Sequence, residues 1–299
     1  MFTHLKPHIT TALLCFILML LLTSPVFAQQ TKGPVTLQNT YTYSFHSNIN
    51  TGDYELEVSL PPGYNAADTI HYPILYVLDG NTFMPLLMTM QQFFVTGEES
   101  VPIIIVGVGY PVNSLLETMP MRTRDYTPTY DFAFDTMMKN YVHQPVTSGG
   151  ADKFLQTLSK EIIPFVEHTY KASNDRAIAG HSFGALFGAY TLFHQPQLFN
   201  RYLLSSVSLP WDNGSLLKDE QQFLDAAPAS LNAKVFVSVG SKEENGMIPL
   251  MQQMTAALKA HPLKGLTLVE KIMDNETHAS VVPVAFSQGV HALYNSGKE

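Results

Sequence analysis

Ser182, in the run Gly180-His181-Ser182-Phe183-Gly184, is placed to be a nucleophile. A Gly-x-Ser-x-Gly turn between a strand and a helix holds the serine in strained backbone geometry and lifts its hydroxyl clear. Glycines two before and two after keep strand and helix from clashing. The following helix turns its free N–H groups toward a developing oxyanion, so Phe183 is one expected donor. A serine hydroxyl also needs a base, and the base needs an orienting acid.

The order Ser, acid, His is present in the chain. His278, in Asn275-Glu276-Thr277-His278-Ala279-Ser280, follows an apolar run that reads as a strand. His194 and His261 sit at predicted helix ends and His291 lies inside one, so His278 is the expected base. For the acid, Glu243 in Gly240-Ser241-Lys242-Glu243-Glu244 leads. Glu244 and Asp212 are alternatives, as is a Ser–His pair without an acid. A second oxyanion donor is expected from the backbone N–H of Asn81, in Leu78-Asp79-Gly80-Asn81, although those residues also suit a plain turn. Asp79 reads as structural, and His181 as packing or substrate-facing. There is no His-Glu-x-x-His run, and no metal or cofactor is implied.

These residues need a scaffold. Thr40 to Phe45 and Tyr54 to Leu60 alternate polar and apolar residues and predict two antiparallel edge strands, with Asn48 to Asp53 as the turn. Pro73 to Leu78 and Val101 to Val108 are unbroken apolar runs, the pattern of parallel strands buried on both faces. Further strands are expected at Arg176 to Ala179, Tyr202 to Val207, Lys234 to Val239 and Leu266 to Ile272. Helices are expected at Thr82 to Phe94, Ala151 to Tyr170, Ala185 to Phe193, Pro249 to Ala260 and Val281 to Tyr294. The order predicts an α/β domain: a mainly parallel central sheet with helices on both faces. Site residues then fall just past the carboxyl ends of strands. Tyr110 to Gly150 reads as one long irregular cover over the pocket, carrying Tyr126, Tyr130, Phe132 and Phe134. Trp211, the only tryptophan, is a candidate for the pocket wall.

Residues 1–28 read as a secretory leader. Lys6 gives a positive start, Thr11 to Leu22 is apolar, and Ser24-Pro25-Val26-Phe27-Ala28 ends in a cleavage pattern after Ala28. The apolar run is short of the roughly 20 residues of a membrane span. An uncleaved anchor is the alternative. Lipidation at Cys15 is weaker, because the apolar run continues past it. Cleavage leaves a single domain, 29–299, with no stable membrane anchor. The one cysteine leaves with the leader, which excludes disulfides, thiol catalysis and Cys-bound metal from the mature chain. Such a composition suits a periplasm or an outer surface. The formal net charge is −8, and removing Lys6 makes it about −9, which argues against nucleic acid or an anionic membrane as partner.

Several segments resemble one family. Tyr72 to Asn81, Met121-Arg122-Thr123-Arg124-Asp125-Tyr126-Thr127-Pro128, Ala179 to Phe187, Val239 to Glu244 and Thr277 to Pro283 are similar to the putative esterase family of α/β hydrolases. That family includes esterase D, the mycolyltransferases of the antigen 85 complex, and the enterobactin and salmochelin esterases. The likeness is greatest to the exported, salmochelin-hydrolase-like branch. The resemblance implies an α/β-hydrolase fold and an esterase with Ser182 as nucleophile, His278 as base, and Asn81 and Phe183 at the oxyanion hole. A small-molecule ester is the implied partner, with a siderophore-type triester as candidate. Siderophore esterases of this type hold acidic catecholates with basic residues. This chain has only 17 Lys plus Arg and shows no matching cluster. Arg122 is nonetheless a candidate substrate contact, and Arg124 beside Asp125 reads as a loop brace. The rival readings are an acyltransferase of the same fold and a non-catalytic binding protein.

Overall fold

A computed structural model describes residues 36–112, 114–226, 228–244 and 246–297, with Thr11, Ala12, Leu14, Phe16 and Gly33. The expected leader, with its cleavage point after Ala28, lies outside the described residues but for the first four of these five. Two contact units divide the chain, Met1–Gln38 and Asn39–Glu299, and the sheet and helices below belong to the second. No described helix is long and apolar enough to cross a membrane.

Among the described residues, eight strands form one sheet in the order β1-β2-β4-β3-β5-β6-β7-β8. They are β1 Thr40–His46, β2 Asp53–Ser59, β3 Tyr72–Leu78, β4 Ile104–Gly109, β5 Ala172–His181, β6 Arg201–Ser205, β7 Ser230–Gly240 and β8 Lys264–Met273. The β1–β2 and β2–β4 pairs are antiparallel, and the others are parallel. This is the α/β-hydrolase fold. The helices are α1 Gly80–Thr96, α2 Leu115–Tyr126, α3 Phe132–Val142, α4 Ala151–Thr157, α5 Ile163–Thr169, α6 Phe183–His194, α7 Ser215–Asp225, α8 Met247–Ala260 and α9 Val281–Tyr294.

Period-two alternation of side chains gives β3 a core on each face. Leu75 and Val77 pack with Phe83 and Leu87 of α1 and Phe286 and Val290 of α9. Ile74, Tyr76 and Leu78 belong to the opposite core, with Phe154, Phe187 and Met254 from α4, α6 and α8. Helices on both faces fix the strand ends, and the site is built there.

Three departures from the sequence reading matter. The stretch Tyr110 to Gly150, expected to be irregular, holds α2 and α3. Ser114 caps α2 by accepting from the Glu117 N–H at 3.3 Å, and Asp131 caps α3 by accepting from the Phe134 N–H at 2.9 Å. The long helix expected over Ala151 to Tyr170 is broken by a π turn at Leu158–Ile162. Finally, α7 was not expected at all. Its buried residues include Leu216, Glu220 and Leu224, and Leu217 and Phe223 pack against the same core, so the helical period was present in the sequence and was passed over.

Glu220 is 3% exposed, and its Oε1 has no hydrogen-bond partner among the described residues. Burial pushes its carboxyl up to about 8. The folded state therefore keeps a proton that the unfolded chain releases near pH 4.5, and stability falls as pH rises between those two values. Glu220→Gln is expected to stabilise the protein by up to roughly 5 kcal/mol above pH 8 and by nothing below about pH 4. Urea melts at both pH values check this; an equal effect at both would refute it.

Candidate active site

Ser182 joins β5 to α6 with φ 59° and ψ −119°, a conformation that a residue with a Cβ adopts only under constraint. The Ser182 N–H donates to the Ser205 carbonyl at 3.0 Å and pins the turn to β6. The two elbow glycines are not equivalent. A Cβ on Gly180 would lie 2.7 Å from the Ala185 nitrogen and closer still to the Gly184 carbonyl. A Cβ on Gly184 would meet Leu78 Cβ at 3.4 Å, an ordinary contact. Gly180 is thus the strict requirement.

His278 lies in the loop after β8, and Glu243 in the loop after β7. Gly240 lets these loops meet: a Cβ there would sit 2.8 Å from the Glu276 carbonyl carbon. The Lys242 N–H donates to the Glu276 carbonyl at 2.9 Å, tying one loop to the other. His278 Nδ1 bonds Glu243 Oε2 at 2.7 Å. The Glu243 side chain is 1% exposed, and that of His278 is 50% exposed. Glu243 Oε1 also accepts from Ser206 Oγ at 2.6 Å and from the Gly240 N–H at 2.7 Å. Burial pushes this carboxyl up, but the bonds from His278, Ser206 and Gly240 outweigh it and hold it below the usual carboxylate range. A carboxylate held anionic fixes the proton on Nδ1 and leaves Nε2 free to accept.

Ser182, Glu243 and His278 line one cavity of about 700 Å³, with Trp211 and Phe134 in its wall. Ser182 Oγ lies 3.2 Å from Ser208 Oγ, a partner other than His278. Such bonds are often loose before substrate arrives. Asp212 and Glu244 line the same cavity, whereas the carboxylate on His278 is Glu243. Asp212 has a left-handed backbone, φ 43° and ψ 56°.

His181 and His278 are in ring contact, 4.5 Å between centroids. His181 Nδ1 bonds Ser205 Oγ at 3.1 Å. Burial first, then His278 and Arg122 nearby, push the His181 imidazole down to about 3. It is a neutral ring at working pH, and it lines a second cavity together with Ser182 and His278.

Asn81 is the second residue of α1, not part of a free turn. Its side chain bonds the backbone of Tyr110 on both sides, accepting from the N–H at 2.7 Å and donating to the carbonyl at 2.8 Å. The backbone N–H groups of Asn81 and Phe183 each sit in the first turn of a helix, where no intrahelical acceptor exists.

Arg122, the expected substrate contact, borders the second cavity that Ser182 and His278 also line. Its Nε and Nη2 both donate to the Asp79 carboxylate at 3.0 Å, and the residue is 8% exposed. Its charge is answered inside the protein. Arg124 braces Asp125 at 2.7 and 2.9 Å, and Asp125 also accepts from Tyr54 and Tyr110. The Arg-x-Arg-Asp-Tyr run therefore ties α2 to the ends of β2, β3 and β4. Trp211 stands at the pocket wall as a packed ring, 4.9 Å from Phe134 and 5.2 Å from Phe183, its Nε1 donating to Thr129 at 3.0 Å. Of the other expected cover aromatics, Tyr126 is in the core, while Tyr130 and Phe132 face solvent.

Sequence reasoning passed over Ser205, Ser206 and Ser208, which bond His181, Glu243 and Ser182 respectively. The signal was their place at and just past the carboxyl end of β6, where sites on open sheets gather.

Comparison with known proteins agrees on one family. A family profile described as Putative esterase matches residues 47–278. A siderophore enterobactin esterase of Emericella nidulans is 30% identical over 202 residues, 64% of this chain and 66% of that protein. A siderophore triacetylfusarinine C esterase of Aspergillus fumigatus is 29% identical over 219 residues, 71% of each. The crystal structure of the BES protein from Bacillus cereus superposes with a TM-score of 0.78 at 27% identity, covering 89% of this chain and 99% of that one.

Proposed function

The chain belongs to the Putative esterase family, and from that premise we propose an exported serine esterase that cleaves a carboxylic ester through an acyl-enzyme. The observation that carries the reading is the 2.7 Å bond from His278 to a buried Glu243, in the cavity that Ser182 also lines. Ser182 leaves Ser208, turns to His278 Nε2, and attacks the ester carbonyl as Nε2 takes its proton. The oxyanion rests on the N–H groups of Phe183 and Asn81. When the tetrahedral intermediate collapses, His278 returns the proton to the departing alcohol and the acyl group stays on Ser182. Water then attacks, His278 takes its proton, and the carboxylic acid leaves as Ser182 recovers its own.

The relatives' names support a siderophore-type ester as substrate. The leader pattern in residues 1–28 supports export, with residues 29–299 as the mature domain. Rapid mixing with a 4-nitrophenyl ester should release a burst of about one nitrophenol per enzyme, followed by slower turnover to free acid. A burst that ends in transfer to added alcohol, with little free acid, would make the protein an acyltransferase instead.

A further inference from the structure

Two cavities meet at Ser182 and His278. The larger holds the carboxylates Asp131, Asp212, Glu243 and Glu244 against one ammonium, Lys242. Four negative charges less one positive leave −3 before His278 is counted, and His278 is neutral when it accepts a proton. The second cavity, about 540 Å³, is walled by Phe83, Leu86, Leu115, Met119, Val282 and Pro283. Among the described residues, the carboxylate and guanidinium that line it, Asp79 and Arg122, neutralise each other through two bonds of 3.0 Å. An anionic group therefore has no favourable place in either arm. In the larger it meets carboxylates; in the smaller it loses its hydration to hydrocarbon. A cation gains in the first arm, and hydrocarbon gains in the second.

We propose that this site selects esters that are uncharged or cationic near the scissile bond and rejects anionic ones. This rests on the serine-esterase reading of the same residues. Within siderophore-type triesters, it favours an uncharged trishydroxamate over a trianionic triscatecholate.

The test compares three 4-nitrophenyl esters of one chain length: the hexanoate, the adipate monoester, and the ω-trimethylammonium hexanoate. The cationic ester should exceed the adipate in kcat/KM by about tenfold at low salt. The gap should close toward unity in 1 M salt, where charges beyond roughly 3 Å are screened. Asp212→Asn with Glu244→Gln should narrow the cation-to-anion ratio several-fold. Asparagine accepts the left-handed backbone at position 212, and Glu244 is exposed, so the fold should survive. A ferric trishydroxamate triester should be cleaved faster than a ferric triscatecholate triester. Equal or better turnover of the adipate, or a ratio that ignores salt, overturns the charge proposal while leaving the esterase intact. No turnover of any ester and no labelling of Ser182 by a fluorophosphonate overturns both.

Discussion

Ser182→Ala is expected to lower kcat by about five orders of magnitude and to abolish labelling by a fluorophosphonate. Both effects come from one atom. Without Oγ no acyl-enzyme forms, and water must attack the ester directly, helped only by the oxyanion donors and by binding. Such a remnant still leaves roughly 10³- to 10⁴-fold over solution in comparable sites. The lost activity should not be a lost fold. Among the described residues Ser182 Oγ has a single 3.2 Å partner, Ser208 Oγ, whereas the turn is held by the backbone bond to Ser205. Alanine keeps that bond and the same strained φ, so the thermal midpoint should move by no more than a few degrees. Ester turnover, intact-mass labelling and a thermal melt on one preparation decide the matter. A labelled or still active Ser182→Ala enzyme would place the nucleophile elsewhere.

Much of this site can be read along the chain because its parts are local. Gly180 to Gly184 is one turn, and a strand before it and a helix after it follow from the apolar runs on either side. His278 stands out because the other histidines after Ser182 fall in or at the ends of helices. What the sequence hides is pairing at a distance. Arg122 reads in the sequence as a candidate substrate contact, and only the fold brings Asp79, 43 residues earlier, onto its Nε and Nη2. Ser206 is 37 residues from Glu243 and supplies one of its three bonds. The two missed helices in the stretch after β4 fail for a related reason. On α2 the buried positions include Thr118, Arg122, Thr123 and Asp125, so its inward face reads as polar. Arg122 finds its partner in Asp79 and Asp125 in Tyr54 and Tyr110, all outside α2, and a periodicity reading weighs only the residue's own hydrophobicity.

The fixed position of Glu243 sets the second large effect. His278→Ala should lower kcat about as far as Ser182→Ala, and the double variant should be little worse than either alone, because the two act as one unit. Removing the imidazole should not collapse its surroundings. Glu243 keeps the Ser206 hydroxyl and the Gly240 N–H, so the buried carboxylate is not left bare. The cavity is also open enough to test the role by replacement. The His278 side chain is half exposed and borders about 700 Å³ of space, so free imidazole can enter, bond Glu243 and face Ser182. Millimolar imidazole should return at least tenfold of the lost activity to His278→Ala and none to Ser182→Ala. Glu243→Gln should cost less, roughly 10²- to 10⁴-fold, since the base remains but its tautomer is no longer imposed. In a His278→Ala background the same Glu243 change should cost almost nothing, because the carboxylate acts only through the ring. A large further loss in that double variant would mean that Glu243 meets the substrate itself. A His278→Ala enzyme that keeps a tenth of its kcat would remove the base assignment altogether.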